Sequence, residues 1–419
     1  MGELFNTQQG NAEARSTAEA VARRSYGKLV AFLAARTRDV AAAEDALSEA
    51  FAAALTDWPR NGCPSNPEAW LMTVARRKMI DTMRRRQTGE ASTEELLLAS
   101  DLETAENEGG IPDRRLALMF ACAHPAIEAG IRAPLILQVL LGLDAKQIAS
   151  AFLMSPAAMS KRLVRAKEKI RLAGTPFRVP ECKELPGRLD TVLEAIYVAY
   201  AEGWTDAAGS DLERRGLTEE AFFLSSLTVK LLPNEPEAMG LLALMLYTEA
   251  RRGARRNAKG EYVPLAQQDT ALWNMRQMME AESMLRDAST LASLGRYQIE
   301  AALQSAHVYR CCTGHDNWAD VVQLYDALLA ITASPVVRIN RALAIAETQG
   351  ASAAIAAMPD ATADPRLCEY QPYWAACAEL LARTGQWGEA RHAYQIAIGL
   401  ERDASVRTFL QKRQSSLPR

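Results

Sequence analysis

The stretch DAKQIASAFLMSPAAMSKRLVRAKEKIRL, from Asp144 to Leu172, decides the reading of this chain. Asp144 is a helix N-cap, because its carboxylate can accept from the unpaired amides of a first turn. Ile148, Ala149 and Phe152 then fall on one apolar stripe. The turn at Leu153–Met154 leads to Ser155 and Pro156, a second cap with proline at the first helical position. In the following helix Met159, Leu163, Ala166 and Ile170 recur at spacings of 4, 3 and 4, which predicts one inward face. The opposite face carries Ala157, Ala158, Lys161, Arg162 and Arg165, with Lys167, Lys169 and Arg171 beyond them. Small residues at a helix start let it approach a groove floor, and basic residues one and two turns on can reach phosphates or guanine edges. Caps, turn and charge agree on a helix-turn-helix with its recognition helix second, rather than a surface helix with a merely solvated basic face.

The charge around this stretch is segregated. The 419 residues sum to −3, but 1–88 carry +3, 89–110 carry −7, 111–180 carry +7 and 181–419 carry −6. Only 111–180 is basic enough to advertise a nucleic-acid partner, so the whole chain should hold bare DNA poorly and need a larger DNA-bound partner. No apolar run is long enough to span a membrane and the start lacks a signal-peptide pattern, so a cytoplasmic, membrane-free protein is expected. Seven scattered cysteines fit a reducing compartment better than a disulfide framework.

Upstream, AAEDALSEAFAAAL (42–55) reads as an amphipathic helix with Ala46, Leu47, Ala50, Phe51 and Ala54 inward and Glu44, Asp45 and Glu49 outward. A loop dense in turn formers, 57–66, includes Trp58 and Asn61. Asn66 and Pro67 then open a basic helix through Trp70, Arg76, Arg77, Lys78, Asp81, Arg84, Arg85 and Arg86. Cations that track a backbone beside a loop able to hold an unstacked base are the ingredients for single-stranded DNA, although Trp70 reads as core.

Three motifs in this order, AEDALSEAF, PEAWLMTVARRKMIDTMRRR and SKRLVRAKEKIR, resemble a bacterial sigma factor of the extracytoplasmic-function class. IPDRRLALMFACAHPAI (111–127) and GTPFRVP (174–180) resemble the group of that class with a long TPR-like C-terminal extension. The resemblance implies an all-α chain with sigma domain two at 1–86, an acidic linker at 87–110, sigma domain four at 111–178 and the extension at 181–419. It further implies that Glu44, Asp45 and Glu49 dock on core RNA polymerase. Asn61, Arg76, Arg77, Lys78, Asp81, Arg84 and Arg85 would read the promoter −10 element, and Ser160, Lys161, Arg162 and Arg165 the −35 element. The alternative is a stand-alone helix-turn-helix regulator, whose first domain would not need the loop and basic helix of 57–86.

The 24 residues of 87–110 carry no basic residue and end in Gly-Gly, a linker composition in which 94–98 could form a helical turn. Extended at about 3.4 Å per residue they reach roughly 80 Å, against roughly 70 Å for two turns of DNA. Past Pro180 alanine- and leucine-rich helices without a basic face take over. In 371–400, Trp374, Ala378, Gly385, Ala390, Tyr394 and Ala397 follow a tetratricopeptide pattern, with looser copies near Pro236, across 297–330 and near Pro335. Such stacked pairs make a concave surface for a protein partner or an intramolecular contact.

His307, Cys311, Cys312 and His315 could share a helix face as metal ligands, but Thr313-Gly314 should end that helix, and no metal is expected. Cys122 and His124, before Pro125, read as core. No phosphate-cradling glycine loop, H-E-x-x-H or G-x-S-x-G pattern appears, so neither a cofactor nor catalysis is expected. The motifs Gln267-Gln268-Asp269 to Trp273 and Ala201-Glu202-Gly203-Trp204 resemble sequences shared within the extension-bearing group, without a physical role that the residues themselves suggest.

Overall fold

Periodic apolar residues bounded by caps dictate helices, and helices are what form. The computed structural model describes residues 2–37, 40–86, 113–173, 180–204, 212–291 and 293–418. Among them the regular structure is helical, with one isolated antiparallel bridge between Arg256 and Tyr262, so the fold is all-α. The acidic segment 87–110, the turn expected at 94–98 and GTPFRV at 174–179 lie outside the described residues.

Two compact units divide the chain: the described helices up to Trp204 together with 212–224, and the remainder from Ser225 on. The first begins with α1 (Gly2–Thr37), α2 (Val40–Asn61) and α3 (Pro67–Arg86), packed around Leu33, Leu47, Ala50, Trp58, Leu71 and Ala75. The loop expected at 57–66 is shorter than its composition suggested. Helix α2 continues through Pro59, and Gly62, at φ +84°, closes it by donating its N–H to the Trp58 carbonyl. Trp58 is 1% exposed and meets Trp70 edge-on at 5.5 Å between ring centroids, so burial of the indole outweighs the turn preference of its neighbours.

Four helices follow: α4 (Arg114–Cys122), α5 (Ala129–Val139), α6 (Ala145–Ala151) and α7 (Pro156–Ala173). Helix α8 (Pro186–Trp204) lies against α4, α5 and α6 and buries Leu189, Val192, Leu193 and Ile196. Its Arg188, almost fully buried, donates to the Phe120 carbonyl (3.0 Å) and to Glu184 (3.1 Å). Helix α9 (Leu212–Leu231) contributes Glu220, which with Asp113 brackets the Arg115 guanidinium. Against the upward push of burial, the Arg115 guanidinium and the Arg115 and Leu116 amides hold the Asp113 carboxyl below its ordinary range, whereas burial leaves the Glu220 carboxyl above it.

The second unit is a run of helices in which neighbours along the chain pack on one another. Helices α10 (Pro236–Ala250), α11 (Met275–Ser289) and α12 (Arg296–Thr313) pack together, followed by α13 (Trp318–Thr332), α14 (Pro335–Gln349) and α15 (Ala351–Ala357). The pair α16 (Gln371–Arg383) and α17 (Trp387–Leu400) turns at Gly385, and α18 (Ala404–Ser415) closes the chain. Glu237 fixes the α10–α12 junction by accepting from the Tyr297 and Gln298 amides at 2.9 and 3.0 Å. Ala378, Ala390, Tyr394 and Ala397, expected as repeat positions, are buried.

Candidate nucleic-acid interface

Helix α6 starts on a closed capping box. Asp144 Oδ1 accepts from the Gln147 amide at 2.7 Å, and Gln147 Oε1 accepts from the Asp144 amide at 2.8 Å. The turn places Leu153 at φ +51°, and the Ser155 hydroxyl caps α7 by accepting from the Ala158 amide at 3.3 Å. Met159 and Leu163 are buried beneath α7 (0 and 2% exposed), which fixes its rotation. Ala157, Ser160, Lys161, Val164, Arg165 and Glu168 consequently face solvent at helical spacing.

Of the expected reading residues, Ser160, Lys161 and Arg165 lie on this face. Arg162 turns aside and pairs with Glu128 at 2.9 Å across the start of α5. Val164, 62% exposed on the same face, is not among the expected reading residues. Its methyl groups suit a thymine C5-methyl group. The signal was present in the sequence: Val164 breaks the inward period that Leu163 keeps.

In the first three helices, Arg77, Lys78 and Asp81 are exposed on α3. Arg76 is half-buried, with its guanidinium 4.9 Å above the Phe32 ring. Lys78 pairs with Glu49 at 3.2 Å, both largely exposed. Such a surface pair is weak and exchanges readily for another charged partner. The Asn61 amide donates to Asp57 Oδ1 at 2.7 Å at the end of α2. The positions of Arg84 and Arg85 are helical, but their side chains lie outside the described residues.

The three acids of α2 expected to dock on polymerase differ. Asp45 and Glu49 are exposed, whereas Glu44 is 13% exposed at the side chain and meets Lys167 Nζ of α7 at 2.7 Å. Burial raises the Glu44 carboxyl above its ordinary range, and Lys167 offsets only part of that.

The His/Cys motif forms no ligand set. Helix α12 ends at Thr313, with Gly314 left-handed at φ +72°. His307 Nδ1 faces Arg310 Nη2 at 2.7 Å, and His315 meets Tyr309 edge-on. Among the described residues no cluster of three or more His, Cys, Asp or Glu is placed to hold a metal. Cys122 is fully buried, as core packing predicts. Within the motifs of unassigned role, Trp204 stacks on Tyr200 in the first unit, and Trp273 is buried in the second. Among the described residues no helix is long and apolar enough to cross a membrane.

Comparison with known proteins adds to this geometry. Residues 21–88 match the model for sigma-70 region 2, and residues 188–289 match a family of unknown function, DUF6596. An uncharacterized protein of Rhizobium meliloti is 38% identical over 381 residues, 89% of each chain. A probable RNA polymerase sigma factor of Xanthomonas campestris, RfaY, is 30% identical over 227 residues, 50% of this chain and 52% of that protein. No solved structure matches the chain.

Proposed function

From the match of residues 21–88 to sigma-70 region 2 and the half-length match to a probable sigma factor, we propose that this chain is a sigma-70 factor that binds core RNA polymerase and directs it to a promoter through two DNA-reading heads, as an extracytoplasmic-function factor with a TPR-like extension. The observation that carries this reading is α7, which buries Met159 and Leu163 and thereby turns Ser160, Lys161, Val164 and Arg165 outward together. Those residues are the −35 readers, joined by Arg162 once it leaves Glu128. Asn61, Arg76, Arg77, Lys78, Asp81, Arg84 and Arg85 hold the unpaired −10 strand, and Glu44, Asp45 and Glu49 dock on the polymerase.

The heads do no bond chemistry. Capturing unstacked bases stabilises the open strand, and this binding energy offsets part of the melting cost. Polymerase supplies the grip that a chain of net charge −3 lacks. The helix pairs beyond α9 serve as the partner-binding or regulatory module, and the protein works in the cytoplasm, where polymerase and promoter are.

Run-off transcription with core polymerase and the full chain tests the proposal. Promoter-specific transcripts that require the chain are expected. If the chain never associates with core polymerase yet binds a DNA site alone, the stand-alone regulator replaces this reading.

A further inference from the structure

The polar face of α7 is not wholly given to solvent. Its Lys167 points to α2 and meets Glu44 at 2.7 Å, the two side chains being 23 and 13% exposed. The fully buried Cys122 thiol lies close enough to feel both charges, and burial together with the Glu44 carboxylate pushes its pKa up. A second contact joins the same two heads. A Cβ on Gly27 of α1 would lie 1.8 Å from the carbonyl oxygen of Leu140, at the end of α5. Backbone therefore meets backbone there, and any side chain at 27 would wedge the heads apart.

We infer that the free protein holds itself closed, with the recognition helix seated on the polymerase-docking helix and Lys167 occupying the Glu44 carboxylate that polymerase must reach. This rests on the docking role proposed above for α2. The chemistry suits a latch. A paired, partly buried charge adds little net stability, because desolvation offsets attraction, but a buried carboxylate stripped of its cation is strongly disfavoured. Glu44 can therefore leave Lys167 only by opening to water or by exchanging it for a polymerase surface. Asp45 and Glu49, still exposed, remain available for first encounter. Apparent affinity for polymerase is then the intrinsic affinity reduced by the fraction of open molecules.

The test uses the full chain. A zero-length carbodiimide condenses the Lys167 amine with the Glu44 carboxylate into an amide, with loss of water, and mass spectrometry identifies the joined peptides. The cross-link is expected in the free wild type and should disappear as core polymerase is added. Gly27→Leu should lose it, and both Gly27→Leu and Lys167→Gln should bind core polymerase about three- to tenfold more tightly in the absence of DNA. Lys167→Gln leaves every proposed docking acid in place, so it carries the affinity test if Gly27→Leu fails to fold. Polymerase binding without any Lys167–Glu44 cross-link in the free wild type overturns the latch alone, as does a cross-link that persists in the complex or unchanged affinity of the variants. A cross-link in a chain that never binds polymerase removes the docking role, and the latch with it.

Discussion

Cutting the chain after Pro180 removes helix α8 and should unfold the second head, although the helix-turn-helix itself is left intact. Leu185, Leu189, Val192, Leu193, Ile196 and Tyr200 are each no more than 3% exposed. Burying a side chain of this size contributes about 1.5–3 kcal/mol. Six of them come to roughly 9–18 kcal/mol, an upper figure because an unfolded chain already buries part of this surface. If only a third of it is held against α4, α5 and α6, the loss is still about 3–6 kcal/mol, much of the roughly 5–15 kcal/mol that keeps a domain folded. The cut also strands the Phe120 carbonyl, which Arg188 satisfies, and removes Glu220 from Arg115. Each costs about 1–3 kcal/mol more where the remaining group stays buried. The assay is thermal unfolding by near-ultraviolet circular dichroism, together with run-off transcription, for residues 1–180 beside the full chain. The shortened chain should lose the cooperative transition of the second head and its −35-dependent transcription. A fragment 1–180 that melts as cooperatively as the full chain, with full promoter activity, would refute the claim that α8 completes that head.

Three other expectations follow from single groups. Gly240→Val should destabilise the second unit by about 1–3 kcal/mol in a denaturant titration, because a Cβ there lies 2.6 Å from the Gln298 amide nitrogen. Lys161→Ala and Arg165→Ala should each weaken promoter binding by the polymerase complex and lower its salt slope by about one if they meet phosphates, measured by DNA binding between low and moderate salt. His307 is held neutral by burial beside Arg310, its pKa lowered from 6.5 to about 4. The unfolded chain therefore takes up a proton before the folded one, and stability falls as pH drops from about 6.5 to about 4, by at most about 3 kcal/mol. His307→Gln should flatten that part of the pH–stability curve, and an unchanged slope would remove His307 from the account.

Local physics was legible from residue types alone. Asp144 and Ser155 as caps, Asn66 and Pro67 at the start of α3, and the buried period Met159–Leu163 each depend on neighbours within four residues, and each appears where the pattern places it. The loop at 57–66 shows the limit of such reading. Its turn formers predict loop, yet a buried Trp58 against Trp70 carries the helix to Asn61. The outward face expected of Arg162 meets the same limit at its pairing with Glu128, because periodicity gives a helix two faces but not the neighbour that covers one of them.

The amino-acid order by itself determined that this protein is helical, where its helices begin, and which helix turns a basic face outward, since backbone amides, side-chain oxygens and apolar spacing act over one or two turns. Only the tertiary structure decided that Glu44 belongs to Lys167, that Gly27 admits the Leu140 carbonyl, and that Arg188 ties α8 to Phe120. Those partners are 68 to 123 residues apart in the chain. No local preference encodes such a pairing; close packing and the cost of leaving a buried charge or carbonyl unpaired select it only when the whole unit has assembled.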